Sequence, residues 1–162
     1  QAQGVYTFPK TEIVGYTVSG TATSFNSDTD EVIIQLIKSG ESKAAYEAIV
    51  KGDATGYSIA GVLPGTYTMK VMKQNHVTRE YTVTVGSSNV VQDVEIWLLG
   101  DVNGDGTINV KDKKLIFNHL NDPSGALTGY ALDVGDVNRD GTINVKDKKL
   151  IFNHLKGTSL WS

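Results

Sequence analysis

The chain has 162 residues, 40% hydrophobic and 20% charged, with a net charge of −3 and no cysteine. That composition is globular rather than disordered; it excludes disulfides and thiolate metal sites and argues against nucleic-acid binding. No apolar run is long enough to cross a bilayer as a helix, so no membrane insertion is expected.

The opening QAQGVYTFPK has neither an initiator Met nor the basic and apolar regions of a signal peptide, and reads as a piece cut from a longer chain. From Thr11 to Leu99 the segments TEIVGYTVSGTA, EVIIQLIK, GTYTMKVMK, TREYTVTV and VVQDVEIWLL are rich in Val, Ile, Thr and Tyr. Several alternate with a period of two, which predicts strands. SKAAYEAI (42–49) has some helical character, but a strand fits the flanking turns better. Turn signals at Asn26-Ser27-Asp28, Ser39-Gly40, Pro64-Gly65, Gln74-Asn75 and Gly86-Ser87-Ser88 separate these runs. The spacing predicts an all-β antiparallel sandwich, Ig-like or prealbumin-like.

After Leu99 the period becomes helical. Val110–Leu120 and Val145–Leu155 each make about three turns. Ile108, Ile116 and Leu120 are expected to face inward in the first, and Ile143, Ile151 and Leu155 in the second. The link Asn121–Val134 contains NDPSG and LTGYALD, the latter a candidate short helix. The predicted division is 1–98, a β domain, and 99–162, a small all-α domain. No Pro- or Ser-rich linker joins them, so they are expected to pack together. Residues 1–98 carry a net −3 and residues 99–162 a net 0, with the acids of the second part mostly in loops and its lysines in helices.

The second part is a duplication. Gly100–Leu120 and Gly135–Leu155 are 21-residue copies 35 positions apart that differ only at Gly104 and Arg139. Exposed positions match as well as buried ones, so the surface itself is expected to be read by a partner. In each copy oxygen-bearing side chains alternate along a tight loop, which converges them on one point, as a hard cation such as Ca²⁺ requires. In loop order the candidate ligands are Asp101, Asn103, Asp105, Thr107 through its carbonyl, Asn109 through a water, and Asp112. The second set is Asp136, Asn138, Asp140, Thr142, Asn144 and Asp147. Gly106 and Gly141 permit the sharp turn. Position twelve is Asp rather than the usual Glu, and neither loop follows an amphipathic helix, so these are half EF-hands (F-hands).

This duplicated loop–helix unit resembles the dockerin domain of bacterial cellulosomes, from Gly100 to roughly Leu160. The resemblance implies two Ca²⁺ ions and calcium-dependent docking on a cohesin domain of a scaffoldin or cell-surface anchoring protein. It implies an extracellular complex for plant cell-wall polysaccharide degradation, and a chain that is monomeric on its own. The cohesin contacts it implies are Val110, Lys111, Lys114, Leu115, Asn118 and His119, mirrored by Val145, Lys146, Lys149, Leu150, Asn153 and His154. Identical faces imply two symmetry-related binding orientations. Val-Lys at positions ten and eleven departs from the small hydroxyl residues common in enzyme-borne dockerins. His119 and His154 also suit the helix macrodipole; Phe117 and Phe152 are expected in a core or domain contact, and Trp161 as a clasp or frayed tail.

The run GYSIAGVLPGTY, through Tyr57, Ile59, Gly61, Pro64, Gly65 and Tyr67, resembles carboxypeptidase-regulatory-like and pilin-repeat β domains. Placed before a dockerin, it is similar to the X module of scaffoldins. Lys10 and Asn89 would be the partners of an isopeptide bond, although no buried Glu is placed between them. A second reading is the docking tail of a secreted glycoside hydrolase. A third is carbohydrate binding by the β domain through Tyr16, Tyr57, Tyr67 and Tyr81. No nucleophile elbow, HExxH or Walker loop occurs; His76 is expected as a solvated turn residue, Asp28 and Asp30 lie in a turn, and no catalysis is expected.

Overall fold

The computed structural model describes residues 4, 13–25 and 28–161. Eight strands come first: β1 (Tyr16–Thr23), β2 (Glu31–Lys38), β3 (Ala44–Lys51), β4 (Ala54–Val62), β5 (Gly65–Met72), β6 (Arg79–Val85), β7 (Val90–Val91) and β8 (Val94–Glu95). Three helices follow, α1 (Val110–Asn121), α2 (Tyr130–Gly135) and α3 (Val145–Leu155), with a 3-10 turn at Pro123–Gly125. SKAAYEAI falls largely in β3, and Lys10 lies outside the described residues.

One sheet has the order β3-β2-β5-β6 and is antiparallel throughout. In the other, β4 is antiparallel to β1, but β7 and β8 both run parallel to β1. The expected Ig-like or prealbumin-like antiparallel sandwich followed by an all-α domain of two loop–helix repeats is thereby corrected: the chain is mostly β in two sheets, one of them mixed, and its C-terminal part holds three helices and a 3-10 turn. The additional helix, α2, overlaps the LTGYALD segment expected to be helical.

The parallel edge has a local cause. VVQDVEIWLL meets β1 at Val18–Val90 and again at Ala22–Val94, with a break at Gln92-Asp93. A Cβ on Gly20 would run into the Gln92 carbonyl, so only glycine admits this close approach. The Tyr57 hydroxyl donates to that carbonyl, while Asp93 Oδ1 and Asn89 Oδ1 accept from the Thr21 and Thr17 N–H groups at 2.8 and 2.9 Å. Side chains thus occupy the groups that a broken ladder leaves unpaired.

Between the sheets lies one apolar core that includes Val32, Ile34 and Leu36 of β2, Met69 and Val71 of β5, and Val18 of β1, side chains two apart along their strands. Tyr57 and Tyr67 are buried in it and Tyr16 and Tyr81 pack against it, so these four do not make an exposed aromatic row. A second, smaller core joins Val102, Ile108 and Ile116 to Val137, Ile143 and Ile151, residue for residue 35 positions on. Leu120 packs against this core, but Leu155, expected inside, is 38% exposed.

Candidate metal loops and docking face

Both loops are organised by side-chain oxygens that take backbone N–H groups. Asp101 Oδ2 accepts from Gly106 N–H at 2.8 Å, and its Oδ1 from Asp105 N–H at 3.2 Å. Asp105 Oδ1 accepts from Thr107 N–H at 3.0 Å. From the first turn of α1, Asp112 reaches back: Oδ1 takes Val102 N–H at 2.8 Å and Oδ2 takes Asn109 N–H at 2.8 Å. Asn109 in turn accepts from Lys111 N–H at 2.8 Å and completes a capping box with Asp112. Asp136, Asn138, Asp140, Asn144 and Asp147 repeat the pattern, including Gly141 N–H to Asp136 Oδ2 at 2.8 Å and Val137 N–H to Asp147 Oδ1 at 2.8 Å.

Asp101, Asp112 and Asp147 are fully buried. Among the described residues no lysine or arginine pairs with them; the ion pair present joins Lys73 to Asp53 at 2.9 Å in the β part. Burial pushes Asp101 up to about 6 and raises Asp112 too, the neighbouring carboxylates adding to the effect while N–H donors oppose it. Buried carboxylates without a counter-charge are unfavourable, so the donor set fits a hard, oxygen-seeking cation. The loop carboxylates are not drawn together: among the described residues no three acidic, His or Cys side chains group closely enough to hold a metal. The Asn103 amide nitrogen donates to Asp105 Oδ2 at 3.0 Å, and Asn138 does the same to Asp140 at 2.9 Å.

The surroundings of the two loops differ. Trp97, just after β8, lies against the backbone of Gly104, where a Cβ would enter the indole; at Gly106 a Cβ would come within 2.5 Å of the Phe25 ring. Gly141, the partner of Gly106, has open space, and Arg139 stands where the first loop has Gly104, donating to the Asp133 carbonyl at 2.9 Å. Tyr130 of α2 completes this junction. Its hydroxyl donates to the Val77 carbonyl and accepts from Trp97 N–H at 3.2 Å, and Arg79 lies 4.6 Å above its ring. Trp97, Phe25 and Tyr130 escape a sequence reading because they meet only in the fold; the lone Gly/Arg mismatch was the available signal.

On the helices, Val110 and Val145 are 63% and 64% exposed, and Lys111, Lys114, Lys146 and Lys149 are exposed as well. Leu115 and Leu150 pack against the small core, and Asn118 and Asn153 are half-buried. His119 and His154 are held by the chain that follows them: Nδ1 accepts from Leu127 N–H at 2.9 Å and from Leu160 N–H at 3.3 Å. Phe117 and Phe152, expected in a core or a domain contact, are 50% and 44% exposed, each one position and so about 100° around its helix from the buried Ile116 and Ile151. Trp161 packs on the small core beside His154. His76 is a half-buried acceptor rather than a solvated turn residue, taking Phe25 N–H on Nε2 at 3.0 Å.

The family of dockerin type I domains matches residues 99–156, the span of both loops and all three helices. This part of the chain is a dockerin. Two solved structures are similar at 25% identity over 85% of this chain and 94% of theirs, an N-terminal and a C-terminal interface mutant of a type II Cohesin-X-Dockerin complex from Acetivibrio cellulolyticus. Their TM-scores are 0.41 and 0.40, too low to establish a common arrangement of the β part and the dockerin. No curated protein matches the chain.

Proposed function

We propose that this chain is a non-catalytic docking module, with residues 1–98 an X module and 99–162 a dockerin that binds two Ca²⁺ ions and docks on a cohesin domain. The observation that carries it is the pair of identical loop–helix units, hydrogen-bonded alike and lying within the dockerin match. The cohesin named in the similar complexes supports the choice of partner. Asp101, Asn103, Asp105, the Thr107 carbonyl, Asn109 and Asp112 would hold one ion and the equivalent residues the other. The cation supplies the charge that the buried carboxylates lack and ties loop to helix. Val110, Lys111 and Lys114, or their mates Val145, Lys146 and Lys149, then present one face in either of two orientations. Such a complex would sit in an extracellular assembly of scaffoldin type.

The test is calorimetric titration with a panel of cohesins, in calcium and in chelator. Tight, one-to-one, calcium-dependent binding is the expected result; calcium uptake with no cohesin bound would overturn it. Changing Val110 and Lys111 together, or Val145 and Lys146 together, should leave binding largely intact, and changing all four should abolish it.

A further inference from the structure

A hollow of about 390 Å³ opens on the seam between the β part and the dockerin, bordered among others by Asn75, Thr78, Leu99, Arg139, Leu160 and Trp161. Three irregularities of the chain meet there. Among the described residues only Asn75 and Arg139 are non-glycine residues with a left-handed φ, 63° and 60°. Asparagine tolerates that conformation, whereas arginine holds it against a steric cost. The third is the indole Nε1 of Trp161, the one buried side-chain nitrogen or oxygen among the described residues that has no hydrogen-bond partner. Strained backbone and unsatisfied buried donors each call for a cause, and ligand sites are where they collect.

Arg139 decides the charge of the ligand. Its counterpart Gly104 shows that the loop itself accepts glycine at this position, so the turn does not require an arginine. The guanidinium gives one N–H to the Asp133 carbonyl at 2.9 Å, which leaves the rest of its planar fork for another acceptor. No acidic side chain borders the hollow. Asp133 and Asp136 line a separate recess with Arg139, and an ion in the second loop would claim the Asp136 carboxylate. Leu99, Leu160 and the Trp161 ring supply apolar walls, while the Asn75 amide and the Thr78 hydroxyl supply polar atoms. Apolar walls with a few placed polar groups are the usual make-up of a small-ligand site. We propose that this hollow binds a small carboxylate with an apolar body, the acid group on Arg139 and the body against Trp161 and the two leucines. Aromatic acids and sugar acids share that chemistry. None of these residues belongs to the proposed cohesin contacts, so the site stands apart from the docking reading.

The experiment is calorimetric titration of the whole chain, at constant calcium, with phenylacetate, galacturonate and the uncharged phenylacetamide, repeated on Arg139→Gly and Arg139→Lys. Helical circular dichroism in calcium verifies that each variant is folded. The expected result is saturable one-to-one binding of at least one acid, with the amide weaker. Arg139→Gly should weaken the acid about tenfold or more, as loss of charge-assisted hydrogen bonds does. Arg139→Lys keeps the charge but not the fork, and should weaken it less than glycine does. Binding of phenylacetate alone assigns an aromatic acid, and binding of galacturonate alone a sugar acid. Neither acid bound at about 10 mM, a very weak affinity for any specific site, overturns the proposal and leaves the hollow to water. Equal binding of phenylacetate and its amide, or acid binding unchanged in Arg139→Gly, overturns it as well. Titration with cohesins is unaffected by any of these outcomes, so failure here leaves the docking reading standing.

Discussion

Trp97 packs so closely against Gly104 that a Cβ at position 104 would lie within 2.3 Å of the indole. Gly104 is also the position where the two otherwise identical repeats differ, and it holds a φ of +70°. The mismatch is thus the mark left by the β part on one of two equal loops.

Restoring the repeat with Gly104→Arg should therefore drive Trp97 off the first loop. Overpacking at a tight contact typically costs about 1–3 kcal/mol, with left-handed backbone strain added for a non-glycine residue. The reverse exchange, Arg139→Gly, removes a left-handed non-glycine residue with φ of 60° and should change stability by about 0.5 kcal/mol or less. Thermal unfolding with tryptophan emission would read both; equal effects from the two would refute the asymmetry.

Chelation should unfold the dockerin and spare the β part. Among the described residues six buried aliphatic side chains form its core, a small apolar burial for an independent domain, so metal binding and folding are expected to be one equilibrium. Trp97 and Phe25 preorganise the first loop, so the second should empty first as chelator is added. Far-ultraviolet circular dichroism should lose helix and keep sheet, with Trp161, which packs on the small core beside His154, changing in the earlier step and Trp97 in the later one; a Trp161→Phe variant isolates the Trp97 signal. Full helicity in excess chelator would break the coupling.

Asp112 and Asp147 each accept N–H groups from both ends of their loop as well as capping a helix. Alanine at either should cost the dockerin about 2–4 kcal/mol in calcium, since buried donors are left unpaired in addition to the lost cap. Denaturant unfolding followed at a helical wavelength checks this, and a loss below about 0.5 kcal/mol would count against the assigned role.

His76 gives the β part a pH dependence. Burial lowers its pKa below the ordinary 6.5, with Lys73 adding to the effect and the Gln74 carbonyl opposing it. A base with a lowered folded pKa contributes stability that is complete above its unfolded value and is lost as pH falls below it. Between pH 7.5 and 5.5 the wild type should therefore lose more stability than His76→Gln, the calcium concentration being held constant. Parallel pH profiles for the two would exclude the histidine as the source.

The loops were legible because their ligands are polar, close in sequence and stated twice. The helices were legible from Ile116 and Leu120, and from Ile151 and Leu155, pairs one helical turn apart, although Leu155 is exposed. The parallel edge was not, because VVQDVEIWLL reads as a single strand while the break at Gln92-Asp93 depends on Gly20 far upstream. Apolarity alone misplaced Phe117 and Phe152, one position past an inward isoleucine and about 100° around the helix. The docking of Tyr130 on Trp97 and Val77 joins residues 33 and 53 positions apart, and no periodicity announces a contact of that kind.

The direction of β7 and β8 has a mechanical meaning. β1 comes early in the chain and β8 leads into the dockerin, and the two are parallel. Tension applied upstream of β1 and through the dockerin pulls these neighbours lengthwise in opposite senses. Their hydrogen bonds, and those from Asn89 and Asp93, are then loaded together as a shear clamp, whereas an antiparallel closing hairpin would unzip one bond at a time.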